Sequence, residues 1–419
     1  MRVRGLLAAS VAMLALPAWG ADKAAVVATY ADIAQAGYED SLATAKRLGA
    51  QVDALIAEPS AEALQAAKAA WLQARVPYQQ TEAFRFGNAI VDDWEGKVNA
   101  WPLDEGLIDY VDAAYGGATD ENPYAVLNVI ANPKLTLSGG EVDATEITPA
   151  LLGGTLQEAD AIESNVATGY HAIEFLLWGQ DLNGTGPGAG ARPWTDFARG
   201  TDCTHENCDR RAAYLKAATG LLVSDLAWMA GQWAEGGDAR KAVVDDPDAG
   251  VVAILTGMGS LSYGEQAGER MRLGLMLHDP EEEHDCFSDN TYNSHFYDGI
   301  GVRNVYLGHY VRVDGSVVEG PSVSELVAAA DPAVDADLKA ALDHSLIALG
   351  QIKTVGEAGT AYDQLLASDN AAGEALLMNA IDGLIAQTRS IERAVSALSL
   401  DAIAFEGSDS LDNPDAVFQ

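Results

Sequence analysis

The sequence predicts an all-α protein, because helical patterns cover most of the chain and strand patterns are scarce. Of its 419 residues, 48% are hydrophobic, which is enough for a large core. Apolar residues recur at steps of three and four, as on one face of a helix. This spacing is found over residues 24–55, 61–86, 156–178, 210–233, 251–277, 324–349, 360–366 and 373–398. We therefore expect helical bundles.

Strand signals are confined to residues 301–318, where polar and apolar residues alternate. Asp314 and Gly315 are suited to a tight turn, so we expect one small β-hairpin there. Long loops rich in Gly, Pro and Asn cover residues 87–149 and 179–200. Loops of this length usually carry function or cover it.

The acidic, Pro- and Gly-containing stretch 245–250 predicts a boundary between two helical bundles, residues 21–246 and 247–419. A weak sequence similarity between the two halves favours a duplication. Asn165 precedes His171 by six residues, and Asn290 precedes His295 by five.

The first twenty residues predict a signal peptide. Arg2 and Arg4 precede a short apolar stretch, and Ala18-Trp19-Gly20 is typical of a cleavage site. The stretch is shorter than the roughly 20 apolar residues that span a bilayer. We expect secretion across the inner membrane and no transmembrane span in the mature chain.

The charge balance, 25 basic against 62 acidic residues, gives a net charge of −37. Nucleic acids are excluded as partners, because phosphate contacts need clustered Lys and Arg. The field attracts cations, although acidic surfaces also serve solubility alone.

Three cysteines are present. In an oxidising compartment, Cys203 and Cys208 are close enough in sequence for a small disulfide loop. Cys286 remains over, either buried or reactive.

The segment 163–181 contains His171 and Glu174, three residues apart. On a helix they share a face and can ligate one metal ion. Gly169 removes a side chain and lets another backbone approach. The spacing alone fits a structural His–Glu hydrogen bond equally well.

Two other helices place charged residues on faces that should be buried. One carries Trp71, Arg75, Tyr78, Glu82 and Arg85 at steps of three and four. Buried charges must be paired or coordinated, so an interhelical salt-bridge network is the simpler interpretation.

The other helix carries Ser262, Glu265, Glu269 and Arg272 on one face, with Gly264 and Gly268 allowing tight packing. Together the three helices can direct Glu82, His171, Glu174 and Glu265 into one polar chamber. Such nitrogen and oxygen ligands suit iron, manganese or zinc.

Several enzyme motifs are absent from the sequence, including H-E-x-x-H, G-x-S-x-G and the Walker A loop. Asp181 and Asn183 open like a calcium-binding EF-hand loop, but Arg192 stands where Glu is needed. The acidic run 281–285 is interpreted as a solvated loop, with cation binding as the alternative.

Six separated segments resemble the imelysin-like family, in particular its iron-regulated protein A branch. GYHAIEFLLWGQD at 169–181 is similar to the family's G-x-H-x-x-E signature. The other five are AWLQARVPYQQTEAFRFG (70–87), VNAWPLDEGLIDYV (98–111), NGTGPGAGARPWTDF (183–197), GEQAGERM (264–271) and CFSDNTYNSHFYDGIGV (286–302).

The resemblance implies two helical bundles, residence in the periplasm or at the periplasmic face of the outer membrane, and a role in iron supply. It also implies a metallopeptidase classification, with His171 and Glu174 binding the metal. Two departures are the cysteines at 203 and 208, and Tyr292 where the family pattern has His.

The leading hypothesis is a metal-binding protein of iron acquisition, with iron favoured over zinc as the bound ion. His171, Glu174 and Glu82 are its predicted ligands. The predicted surrounding pocket comprises Trp71, Arg75, Tyr78, Arg85, Trp101, Asp104, Ser262, Glu265 and Glu269. Its predicted partners are a metal ion or small iron-containing ligand, and envelope iron-transport components.

Two alternatives stay open. A metallopeptidase would use the same site. An envelope protein that binds a ligand without metal would depend on Trp71, Tyr78 and Trp101.

Overall fold

The structure, a computed structural model, describes residues 22–418. The predicted signal peptide, residues 1–20, lies outside the described residues.

The all-α prediction is confirmed: sixteen α-helices occur in the described residues. Those before residue 246 are α1 (Lys23–Ala57), α2 (Ala61–Gln79), α3 (Ala89–Glu95), α4 (Glu105–Ile108), α5 (Pro149–Leu151), α6 (Gly169–Trp178), α7 (Cys208–Trp233) and α8 (Asp238–Val244). Those after it are α9 (Pro247–Ser260), α10 (Leu273–Leu277), α11 (Thr291–Leu307), α12 (Val323–Ala330), α13 (Pro332–Glu357), α14 (Tyr362–Leu366), α15 (Ala371–Ala397) and α16 (Asp409–Asp412).

The long helices pack in two groups. In the first half α1 lies against α2 and α7, and in the second half α13 lies against α15. Helix α11 contacts both α13 and α2 and so connects the groups. The larger hydrophobic core contains residues from both halves, such as Leu48 and Leu338, and a smaller core surrounds Leu377. The boundary at 246–247 stays a prediction.

Two antiparallel hairpins are present in the described part of the chain. The strands β1 (Lys134–Leu137) and β2 (Gly140–Asp143) pair with Leu135 opposite Val142. The strands β3 (His309–Val311) and β4 (Val317–Glu319) pair with Tyr310 opposite Val318.

The predicted hairpin is therefore present but shorter than the range 301–318. Residues 301–307 instead continue α11, which ends where Gly308 adopts a φ of +63°. A left-handed residue at this position terminates a helix, and glycine adopts it without strain. The hairpin at 134–143 was not predicted, because its strands are short and lie in a loop-rich region.

Helix α9 runs into α10 through residues Leu261–Arg272, which have the wider hydrogen bonding of a π-helix. Gly264 and Gly268 lie against the C-terminal segment. A Cβ atom at Gly264 would be 2.5 Å from the Glu406 carbonyl oxygen. The predicted close packing of these glycines is confirmed.

No helix within residues 22–418 is long and apolar enough to cross a bilayer.

Candidate metal centre

Helix α6 begins at Gly169, where any residue with a side chain would be strained. Gly169 has a φ of +81°, and a Cβ atom there would lie 2.5 Å from the carbonyl oxygen of Val98. The next amide, of Tyr170, donates to that same oxygen at 2.7 Å. The predicted approach of another backbone is confirmed, and it fixes the start of α6, two residues before His171.

His171 and Glu174 contact each other on this helix. The Nδ1 atom of His171 lies 3.0 Å from Oε2 of Glu174, and both side chains are buried. The other carboxylate oxygen of Glu174 accepts hydrogen bonds from the amide and hydroxyl of Ser288, at 3.0 and 2.6 Å. The Nε2 atom of His171 has no hydrogen-bond partner among the described residues.

Two residues from the segment before α11 complete the group. Asp285 Oδ1 lies 3.9 Å from His171 Nδ1, and the ring of His284 is 4.8 Å from the ring of His171. Each of the three residues offers a ligand atom within 4.8 Å of the other two. We call His171, His284 and Asp285 the metal trio. All three are at most 2% exposed.

Asp285 is held in place by neighbours on both oxygens. Its Oδ2 accepts hydrogen bonds from Asn290 Nδ2, at 2.8 Å, and from the hydroxyl of Ser294. Its Oδ1 accepts from Arg75 Nη2 at 2.9 Å, and Nη1 of Arg75 donates to Asn99 at 2.6 Å. The orientation of the carboxylate is thereby set before any ligand arrives.

Arg75 itself lies among aromatic rings. Its guanidinium is 5.5 Å from the ring centre of Trp71, 5.6 Å from Tyr78 and 5.0 Å from Tyr170. Such cation–π contacts stabilise a desolvated arginine. Three predicted pocket residues, Trp71, Arg75 and Tyr78, therefore support the metal trio from α2.

Burial and nearby arginines keep the imidazoles neutral. Burial, with the charges of Arg75 and Arg270, holds the pKa of His171 well below its usual value. The pKa of His284 is lowered by burial and then by Arg270. Burial and the charge of Asp285 raise the pKa of Glu174. A neutral imidazole is the form that binds metal.

The unpaired nitrogens provide a test of whether these residues fit a metal ion. His171 Nε2 and both ring nitrogens of His284 are buried without a hydrogen bond among the described residues. Each unsatisfied buried polar atom costs about 1–3 kcal/mol. A cation bound to imidazole nitrogens would remove part of this cost, so the donor set fits a metal.

Glu82 lies in a second polar cluster, centred on Arg270. Arg270 Nη2 is 2.7 Å from Glu82 Oε2, and its Nε is 2.8 Å from Glu265 Oε1. Asp298 contacts Nη1 at 3.2 Å, and Arg85 Nη1 is 3.6 Å from Glu265. This is an interhelical salt-bridge network, and it occupies the carboxylate of Glu82.

Trp101 and Asp104 line a pocket of about 550 Å³ next to the metal trio. The ring of Trp101 is 5.8 Å from the ring of His284. Asp104 accepts a hydrogen bond from Ser164 at 2.7 Å. The half-buried thiol of Cys286 borders the same pocket, and burial raises its pKa.

The remaining predicted residues lie apart from the trio. Ser262 donates to the Met258 carbonyl at 2.6 Å and accepts from Gln387 at 2.7 Å. Glu269 lines a surface pocket with Ser408. Cys203 and Cys208 form a disulfide beside the start of α7.

Two members of the trio were not predicted. The interpretation of 281–285 as a solvated loop is wrong for residues 283–285, which are at most 2% exposed. The sequence held one signal for Asp285. Arg75 was expected to be buried, and a buried arginine needs a carboxylate partner.

Comparison with known proteins gives a consistent assignment. The imelysin family profile matches residues 34–391. No curated protein matches the chain.

Two crystal structures share its fold. One is of a protein assigned as an iron-regulated protein A precursor from Parabacteroides distasonis, with 19% identity, a TM-score of 0.63, and coverage of 90% of this chain and 95% of that one. The other is an imelysin-like protein from Psychrobacter arcticum, with 16% identity, a TM-score of 0.56, and coverage of 91% and 97%. With a family match over most of its length, the chain belongs to the imelysin family.

Proposed function

We propose that this protein binds a metal ion, with iron as its physiological cargo, through His171, Glu174, His284 and Asp285. The observation that carries the proposal is the buried metal trio with its unpaired imidazole nitrogens. Glu174 joins as a fourth ligand, through a carboxylate oxygen. Glu82, which we predicted as a ligand, stays outside this set because it is paired with Arg270.

Interatomic separations support the metal trio as the centre of the set, with Glu174 in contact with His171. Donors bound to one ion at about 2.1 Å in a tetrahedron are about 3.4 Å apart. From His171 Nδ1, Glu174 Oε2 is at 3.0 Å and Asp285 Oδ1 at 3.9 Å, on either side of that value. Coordination through His171 Nδ1 would therefore replace its direct contact with Glu174 by a shared bond to the cation.

Iron is favoured over zinc on one ground, the comparison with known proteins, since the donor set accepts both ions. Two imidazoles with carboxylates form a donor set that non-haem ferrous iron accepts, although zinc accepts it too. The fold neighbour from Parabacteroides distasonis carries the description iron-regulated protein A. We therefore place this chain in iron acquisition, with zinc as the second candidate.

Binding suits the site better than peptide hydrolysis. Metal-dependent hydrolysis needs an open coordination position that a substrate can reach. All four proposed ligands are at most 2% exposed. A metal ion can enter such a buried site during a brief local opening, whereas a polypeptide substrate needs a cleft that is permanently open to solvent.

The proposed location is the periplasm or the periplasmic face of the outer membrane, with envelope iron-transport components as partners. It rests on the signal-like residues 1–20. Cell fractionation of the tagged full-length chain is the test. Recovery of the unprocessed chain in the cytoplasm would refute this location.

The metal proposal is tested by calorimetric titration of the purified chain with ferrous and zinc ions. We expect one ion per chain, and a loss of affinity of about 100-fold or more in His171→Ala and in His284→Ala. His344→Ala is the matched control, because His344 is exposed on α13 and should bind as wild type. Equal binding by all three variants would refute the site.

A further inference from the structure

A small cavity of about 10 Å³ borders the same segment that carries His284. It is lined by four carboxylates, those of Asp181, Glu281, Glu283 and Asp363. A cavity of this size holds about one water molecule or one small ion. We call these four residues the acidic cavity. No Lys, Arg or His lines it.

Two of the four carboxylates, Glu283 and Asp363, are buried and have oxygens without a hydrogen-bond partner among the described residues. Glu283 is 1% exposed and Asp363 is 2% exposed. Neither oxygen of Asp363, nor Oε1 of Glu283, makes a hydrogen bond of normal geometry among the described residues. The other oxygen of Glu283 accepts one, from the hydroxyl of Thr291 at 2.7 Å.

A fifth carboxylate adds to the charge at this position. Asp289 also has a buried oxygen without a partner among the described residues. Burial, followed by the charges of Asp363 and Asp181, raises its pKa to about 7. Burial raises the pKa of Asp363 to about 6. The carboxylates thus act on one another with no positive side chain between them.

An unpaired buried carboxylate costs several kcal/mol unless a cation or a proton neutralises it. The hydrogen bonds and ion pairs within residues 22–418 supply no such cation to Glu283 or Asp363. The pKa of Asp363, about 6, leaves most of this carboxylate ionised at neutral pH, so a bound ion is the remaining source of positive charge for it. The metal trio does not fill this need, because its imidazoles are neutral and Arg75 is already paired with Asp285.

We propose that the acidic cavity is a second cation site, made of oxygen ligands alone, and that it takes calcium. Calcium accepts six to eight oxygens in irregular geometry, including carbonyls and water, whereas magnesium needs a near-ideal octahedron. No three carboxylates here have ligand atoms within 4.8 Å of one another. Calcium binding therefore draws the side chains of Glu283 and Asp363 together.

The site differs in chemistry from the metal centre proposed above and does not depend on it. It contains no imidazole, so iron and zinc are poorly matched to it. Conversely, His171→Ala removes a ligand from the metal centre and none from the acidic cavity. The two proposals can therefore fail separately.

The test is calcium titration of the chelator-treated protein, followed by calorimetry and by the luminescence of terbium, which occupies oxygen-ligand calcium sites. Tyr362, adjacent to Asp363, is placed to sensitise terbium. We expect one calcium ion per chain, and at least a tenfold loss of affinity in Asp363→Asn. His171→Ala and the exposed-carboxylate control Glu374→Gln should bind calcium as wild type.

A stability measurement keeps the test decisive. In chelator, Asp363→Asn should unfold at or above the wild-type temperature, because it removes an unpaired buried charge, and calcium should no longer stabilise it. If Asp363→Asn fails to fold, the variant Glu281→Gln takes its place. Glu281 lies at the exposed edge of the cavity, and we expect the same loss of calcium affinity. Absence of calcium binding by wild type, or wild-type affinity in the folded variant, overturns the proposal.

Discussion

Arg75 and Asp285, 210 positions apart in the sequence, form an ion pair in which both side chains are buried and Nη2 lies 2.9 Å from Oδ1. The pair attaches α2 to the segment ahead of α11. It also places a fixed positive charge beside His171 and His284, where the charge lowers the pKa of both imidazoles. The pair thereby both positions the metal trio and keeps its nitrogens free for coordination.

Replacing Arg75 with Met should destabilise the protein by about 3–5 kcal/mol, because it leaves Asp285 as a buried anion without its partner. Chemical denaturation at neutral pH measures this loss. Arg393→Met is the control, since Arg393 is exposed and its nearest carboxylate, on Asp337, is 3.8 Å away. Its loss should stay within about 0.5 kcal/mol. A loss below 1 kcal/mol for Arg75→Met would contradict the structural role of the pair.

Glu174→Gln and Glu82→Gln should separate the proposed centre from the salt-bridge network. Glu174 contacts His171 at 3.0 Å, so its substitution should weaken metal binding by about 10–100-fold. Glu82 is paired with Arg270 at 2.7 Å, so its substitution should change metal affinity by less than threefold. Metal titration of both variants decides. A larger effect from Glu82→Gln would return Glu82 to the ligand set.

Gly169→Ala should cost about 2–4 kcal/mol, because a Cβ atom there is strained at positive φ and would collide with the Val98 carbonyl. Gly220→Ala is the matched control in the interior of α7, where an added Cβ meets nothing within 4 Å. That variant should gain about 0.5–1 kcal/mol. Equilibrium unfolding compares the two, and similar effects would show that the close approach at Gly169 is not needed.

His295 should make stability depend on pH below about 6.5. Burial lowers its pKa in the folded protein to about 3, so the unfolded chain binds the proton first as the pH falls. The stabilisation is present above the unfolded pKa and is lost as acid is added. At pH 5 the loss is about 2 kcal/mol, from 1.5 pH units at about 1.4 kcal/mol each.

The measurement is denaturant unfolding of wild type and His295→Gln at pH 7.5 and pH 5. All other titrating groups are common to both proteins, so the difference of differences reports His295 alone. Wild type should lose about 2 kcal/mol more than the variant. Parallel losses would mean that the imidazole is protonated in the folded state.

The sequence supports predictions wherever the cause is local. Three- and four-residue spacing predicted most of the helices, although α2 ends at Gln79 rather than at residue 86 and α6 begins at Gly169 rather than at residue 156. The same spacing placed His171 and Glu174 in contact because they share a turn of α6. Gly169 was recognisable because only a glycine permits another backbone so close. The predicted hairpin began too early in the sequence. Polar and apolar residues alternate over 301–307, but these residues belong to a helix that continues from Thr291.

Convergence of distant segments could not be predicted. Nothing in the spacing of α2 and α6 indicates that Arg75 faces Asp285 rather than Glu82. A run of five ionisable residues, 281–285, is usually solvated, and its burial depends on partners far along the chain: Arg75 for Asp285 and Thr291 for Glu283. Tertiary pairing overrode the local preference for solvent.

Glu283 lines the acidic cavity, and its immediate neighbours His284 and Asp285 belong to the metal trio. A single peptide bond thus joins a residue of the acidic cavity, Glu283, to a residue of the metal trio, His284. A backbone rotation here that moves the carboxylate of Glu283 also moves the side chains of His284 and Asp285. If both proposed sites bind ions, any effect of one ion on the retention of the other must be matched, by thermodynamic reciprocity, by an equal factor in the reverse direction, from the second ion to the first.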